Sequence, residues 1–179
     1  MLAPSFETLD IFGNPISLES YRGKKLLLGF YRNSACAMCN LRIRHLIQRY
    51  PDWKANGLEV LAVFESPLEN MLRYVGKQDA PFPIIADPAG KLYSLYDVEV
   101  SEEKVQRTMS REDMQQMIDE AANAGFPLTK EEGSNFYRIP AEFLIGPDLQ
   151  IVQAHYGEYI YDHLPFEQIE QFARKEATV

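Results

Sequence analysis

Cys36 and Cys39 are the only cysteines of this 179-residue chain, and they stand as Cys-x-x-Cys. They follow the apolar run Leu26-Leu27-Leu28-Gly29-Phe30-Tyr31, which is continuous and short, as a buried strand is. They open a segment with apolar positions at Cys39, Ile43, Leu46, Ile47 and Tyr50, the spacing of a helix with one core face. The chain therefore delivers two thiols from a strand end to a helix start. Unpaired N–H groups and the helix dipole favour a thiolate there. The second thiol lies one turn on, close enough to close a small disulfide ring.

The rest of the chain alternates in the same way. Leu58 to Phe64 reads as a second buried strand after a turn at Asn56-Gly57, with Pro51 ending the preceding helix. Ser66-Pro67-Leu68-Glu69 predicts a capped helix start, with Leu68, Met71, Leu72 and Val75 as its stripe. Phe82 to Ala86 predicts a third strand, and a short helix follows around Leu92 to Tyr96. Phe143 to Ile145 and Ile151 to Tyr156 predict a hairpin around Gly146-Pro147-Asp148, and a last helix runs from about Pro165 to Lys175. The order predicts an α/β fold, a central mixed β-sheet flanked by helices, in one domain over 1–179. A helical insert over 98–137 precedes the last hairpin. It carries a helix start at Ser110-Arg111-Glu112-Asp113, a stripe of Met114, Met117, Ile118 and Ala121, and a stop at Gly125. The stripe is read as packing on the domain, with a lid or partner surface as the sharper alternative.

A net charge of −8 argues against nucleic acid and anionic membranes as partners. The charge is uneven: Tyr21 to Lys54 holds eight basic residues and one acid. Arg32 and Arg42 flank the cysteines, and a cation near a thiol raises its thiolate fraction. No apolar run reaches the ~20 residues of a membrane span, and no signal peptide is apparent, so a cytoplasmic location is expected. No metal site is expected. Structural zinc takes four ligands, and His45, His155 and His163 do not follow a zinc-finger spacing. His163 is read as helping to start the last helix. Phosphate-cradling Gly-rich motifs are absent, and no cofactor is expected.

These segments resemble the thioredoxin superfamily and, more closely, its peroxiredoxin-like branch, the alkyl hydroperoxide reductase and thiol-specific antioxidant family. The resemblance rests on Ala3-Pro4-Ser5-Phe6 with Leu9-Asp10 and Gly13, on Phe30-Tyr31-Arg32, on Phe82-Pro83-Ile84-Ile85-Ala86-Asp87, and on Ile139-Pro140-Ala141-Glu142-Phe143 with Tyr156-Gly157. It covers most of the chain outside the insert and is similar to the subgroup that keeps Cys-x-x-Cys. It implies a thioredoxin-like fold. The departures are specific. In the family's Pro-x-x-x-Thr-x-x-Cys the peroxidatic cysteine falls on Cys39, the threonine on Cys36 and the proline on Arg32. The activating arginine falls on Pro140. At the site the chain resembles thioredoxins instead, with Cys36 as the attacking thiol at an exposed helix start. Cys39 then resolves, and Ile139-Pro140 forms a substrate-facing loop with a cis proline.

The resemblance implies a thiol–disulfide oxidoreductase that cycles between the dithiol and a Cys36–Cys39 disulfide in redox homeostasis. Its substrate would be a protein disulfide or a small thiol or peroxide, and a reductant of thioredoxin or glutathione type would recycle it. A peroxidase is the alternative, with Arg32, Asn33 and Ser34 as substitute donors. A non-catalytic redox sensor or binding module is a further alternative.

Overall fold

The computed structural model describes residues 1–176. Five strands form the central sheet: β3 (Lys25–Phe30), β4 (Leu58–Phe64), β5 (Ile84–Ala86), β6 (Ala141–Ile145) and β7 (Ile151–Tyr156). Their order is β5-β4-β3-β6-β7. β3 and β4 pair in parallel, as do β4 and β5, whereas β6 runs antiparallel to both β3 and β7. The sheet is therefore mixed. The opening segment folds as a small hairpin of β1 (Glu7–Leu9) and β2 (Pro15–Ser17).

The pleat sorts the strand side chains into two cores. Leu27, Val60, Ala62, Phe64 and Leu144 face one side with α1 (Ala37–Ala55), α2 (Leu68–Arg73) and α6 (Phe166–Arg174). Leu28, Phe30, Val63, Phe143 and Ile145 face the other, under the opening segment and α3 (Lys91–Leu95). Every residue of β3 is buried, which is why its sequence is continuously apolar rather than alternating.

Three local expectations are corrected. Pro51 does not end α1, which continues to Ala55. Proline removes one N–H from the helix, but Trp53 is buried beyond it and packs on Phe166 with ring centroids 6.3 Å apart, and that packing holds the last turn. Ser66 does not cap α2. Its hydroxyl accepts the Ser34 N–H and donates to Glu131, so the capping residue is Pro67, with no side-chain cap. Of the α2 stripe, Met71 and Val75 are buried, while Leu68 and Leu72 stand exposed because the chain turns into a 3₁₀ segment after Arg73.

Between α3 and β6 the chain carries α4 (Glu102–Met109) and α5 (Met114–Asn123). α4 is not expected from the sequence, which predicts a helix in this segment only from Ser110 onward. Ser101 caps it by accepting the Lys104 N–H, with Glu102 and Glu103 in the first turn. Ser110 ends α4 rather than starting the next helix. The two ends of the segment are clasped together. Val100 bridges Arg138, Ser101 N–H donates to the Tyr137 carbonyl, and Ile139 N–H donates to the Glu99 carbonyl. Met114, Met117 and Ile118 pack on the core beside α1. Among the described residues, no helix is long and apolar enough to cross a membrane.

Candidate active site

β3 ends at Phe30, and a short loop carries the chain to Cys36, the N-cap of α1. The loop is fixed by its own polar groups. The Ser34 hydroxyl donates to the Asn70 carbonyl and accepts the Val75 N–H, and Asn33 accepts the Ala35 N–H. Asn40 donates to the carbonyls of Ser34 and Cys36. Ser34 is thus committed to the loop.

At the helix start the two sulfurs lie 2.7 Å apart, with the Cys39 thiol donating to Cys36 Sγ. Cys36 Sγ also accepts the Cys39 N–H at 3.4 Å and a hydrogen bond from Arg32 Nη1 at 3.5 Å. The hydrogen bond from the Cys39 thiol, with the Arg32 charge behind it, outweighs burial and lowers the Cys36 thiol to about 6. Cys39 moves the other way: burial and the neighbouring Cys36 push it well above an ordinary thiol. The pair is therefore asymmetric, with one sulfur poised as thiolate and one as thiol.

The expected exposure of Cys36 is corrected. It is only 6% exposed, and Cys39 is fully buried. Cys36 opens onto a cavity of about 710 Å³ shared with Met109, Met114, Ile118, Leu128 and Phe136. The segment between α3 and β6 thus walls the thiol in, a covering that a pattern of core and surface positions does not reveal. Arg32 helps to hold this wall, donating to the Phe136 carbonyl at 2.6 Å and the Arg138 carbonyl at 3.0 Å. Glu131 lies on the same cavity wall, almost fully buried, with Oε1 unpartnered among the described residues. Burial raises its carboxyl, against the opposing hydrogen bond from Ser66.

Arg42 makes no hydrogen bond to either sulfur. It grips Glu142 with two hydrogen bonds, at 3.0 and 2.6 Å, and stacks over Phe166 at 4.3 Å. Glu142, fully buried in β6, also accepts the Tyr31 hydroxyl at 2.6 Å and the Leu164 N–H at 2.8 Å. Burial alone would raise the Glu142 carboxyl, but Arg42, His163 and these hydrogen bonds hold it at about 2. The sequence reading did not single out Glu142. Its one signal was a lone acid inside the apolar strand Ala141 to Ile145.

Ile139 and Pro140 are both buried. The Ile139 N–H is taken by Glu99, and the Pro140 carbonyl accepts the Gly157 N–H. The Ile139–Pro140 peptide is trans, the ordinary form for a residue before proline. The loop expected to face substrate is closed over by the clasp, and Phe136 lines the cavity instead. His163 does not start α6. Its ring packs on Tyr31 with centroids 5.7 Å apart, Nε2 is buried without a partner among the described residues, and burial lowers it to about 3.

A mixed five-stranded sheet with a Cys-x-x-Cys pair opening its first long helix defines a thioredoxin-like protein with a dithiol site. The chain belongs to the AhpC/TSA family, which it matches over residues 2–154. It is similar to the thiol-disulfide oxidoreductase ResA of Bacillus thuringiensis subsp. konkukian (strain 97-27), at 28% identity over 97 residues. That match spans 54% of this chain and 56% of the relative. The chain thus spans about half the length of the curated relatives it matches. Among solved structures it is similar to peroxidoxin BcpB from Mycobacterium tuberculosis, with a TM-score of 0.66 at 13% identity, covering 97% of this chain and 92% of that one. A thioredoxin family thiol:disulfide interchange protein from Chlorobium tepidum TLS gives a TM-score of 0.58 at 19% identity, covering 98% and 97%. These two likenesses concern the fold.

Proposed function

We propose that this protein is a thiol-dependent oxidoreductase whose Cys36–Cys39 pair cycles between dithiol and disulfide. One observation carries the reading: Cys36 Sγ sits between the Cys39 thiol and the Arg32 guanidinium, its thiol lowered while that of Cys39 is raised. Thiol–disulfide exchange needs a nucleophilic thiolate and a second thiol that displaces the mixed disulfide. Cys36 takes the first role. It attacks a substrate disulfide, one substrate sulfur leaves as thiolate, and Cys39 then attacks Cys36 Sγ to release the other. The dithiol loses two electrons and the substrate gains them. A thiol reductant restores the pair. Names among the relatives support the reading, since they include a thiol-disulfide oxidoreductase. An antioxidant role in a reducing, cytoplasmic compartment belongs to the same proposal, supported by the chain's use of its two cysteines as a pair rather than as a structural staple.

A thiol peroxidase is the second reading, favoured by the family and by the cavity in front of Cys36. Against it, the Ser34 hydroxyl is committed to the loop, to the Asn70 carbonyl and the Val75 N–H. The test compares two rates on the reduced protein: thiol loss to stoichiometric hydrogen peroxide and exchange with a small protein disulfide. Fast exchange with ordinary peroxide rates supports the oxidoreductase. Peroxide consumption far above that of an ordinary thiol replaces it with the peroxidase. Two slow rates reject both.

A further inference from the structure

The segment that covers Cys36 is tied to the cysteine loop through a buried carboxyl. Glu131 belongs to that segment, lines the Cys36 cavity and is 4% exposed. Its Oε2 accepts the Ser66 hydroxyl at 2.7 Å, and Ser66 Oγ accepts the Ser34 N–H at 2.8 Å. Ser34 stands two residues before Cys36. Two hydrogen bonds in series thus join the cover to the loop that carries the thiol. The outer end of this chain is unbalanced. Glu131 Oε1 has no hydrogen-bond partner, and the carboxyl has no ion-pair partner, among the described residues. A neutral carboxyl tolerates such a place. An ionised one loses its hydration there without a counter-charge.

The charged groups around Glu131 do not remove that penalty. Arg32, Arg111 and Lys130 line the same cavity, but Arg32 is committed to the Phe136 and Arg138 carbonyls and Arg111 to Asp113. Glu112 and the Cys36 thiolate add like charge to the cavity. On the opposite face Glu132 adds another acid, and Glu65 is already paired with Arg138 at 2.7 Å. Farther along the cover, Glu120 of α5 meets His45 of α1 at 3.6 Å, a second tie that titrates. Arg32 keeps its charge throughout the working range, so its hold on the cover does not titrate.

We propose that Glu131 is a positioning residue: while protonated it holds the cover down on Cys36, and its ionisation loosens the cover and opens the thiol to bulky reactants. This opening is independent of the dithiol–disulfide cycle. It sets which partners reach Cys36, not the chemistry that follows. Burial raises the Glu131 carboxyl above its ordinary 4.5. A raised acid favours the closed cover at low pH, and that preference is lost as pH rises from about 4.5 through the raised value.

The test alkylates the reduced full chain with iodoacetamide and with a bulky apolar maleimide. Both reagents attack the same thiolate, so the ratio of their rates cancels the titration of Cys36. The same ratio on free 2-mercaptoethanol corrects for the reagents themselves. Between roughly pH 5 and pH 8 the corrected ratio of maleimide to iodoacetamide is expected to rise about fivefold. Glu131→Gln keeps an acceptor for Ser66 with no charge to bury, and its ratio should stay low and change by less than about twofold. Ser66→Ala cuts the chain and should show the raised ratio already at the acid end of the range. Glu120→Gln removes the His45 tie and should keep the rise. A flat ratio in the unsubstituted chain, which needs no variant to fold, overturns the proposal. So does a rise that survives Glu131→Gln, a low ratio in Ser66→Ala, or a rise that Glu120→Gln abolishes.

Discussion

At the scale of single residues, chemistry at the site is a matter of which cation reaches which anion. Two arginines flank the cysteines in sequence, and they end in different places. Arg32 donates to Cys36 Sγ, while Arg42 is bound to Glu142. Arg32→Met is therefore expected to raise the Cys36 thiol from about 6 toward the ordinary value of about 8.5, read as the midpoint of iodoacetamide alkylation against pH. Arg42→Met should leave that midpoint in place and lower stability instead. Cys39→Ser is expected to trap mixed disulfides through Cys36, seen as adducts on non-reducing gels. Trapping by Cys36→Ser instead would exchange the roles. Glu142 gives a pH prediction. Its folded carboxyl lies at about 2 against an ordinary 4.5. A lowered carboxyl stabilises the fold fully above its unfolded value, and that stability is lost as pH falls from about 4.5 toward 2. Glu142→Gln, which leaves Arg42 buried without its counter-charge, should cost about 3–5 kcal/mol in urea unfolding at pH 7. The gap should narrow near pH 3.

At the scale of elements, β3 shows how one position sets a network. Gly29 and Tyr31 share a face of the strand, and the Tyr31 ring folds back over Gly29 to reach Glu142 on the neighbouring β6. A Cβ at Gly29 would lie inside that ring. Gly29→Ala should destabilise by about 1–3 kcal/mol, since overpacking forces the ring off its site. The companion variant Gly29→Ala with Tyr31→Ala should recover part of the loss measured against Tyr31→Ala alone. The same scale explains the helix limits. Hydrophobic spacing located α1, β4, α6 and the last hairpin within a few residues. It failed at Pro51 and Ser66, where Trp53 burial and a distant Glu131 outbid local rules.

At the scale of the whole molecule, the segment over 98–137 changes what the cysteine pair can meet. A Cys-x-x-Cys at a helix start reads as an exposed thiol, yet Met109, Met114, Ile118 and Phe136 wall the cavity in front of Cys36. Ile118→Trp should therefore slow alkylation of Cys36 by a bulky apolar maleimide by severalfold, with iodoacetamide little affected. Equal slowing of both reagents would mean the cavity is not the route to the thiol.

The sequence by itself determined the order of the five sheet strands and of the helices between them outside α4, the mixed sheet, and the pairing of two thiols at a helix start. These follow from periodicity and short-range geometry, which act between residues close along the chain. Only the tertiary structure decided which arginine serves the thiol, that Ile139 and Pro140 are buried, and that Glu142 joins Tyr31 and Arg42. Each of these depends on residues tens of positions apart, as Arg42 and Glu142 are: Arg32 lies only four positions before Cys36, but the distant Phe136 and Arg138 carbonyls hold its guanidinium there. Spacing along a chain carries no information about partners that meet only when the sheet and its helices have packed.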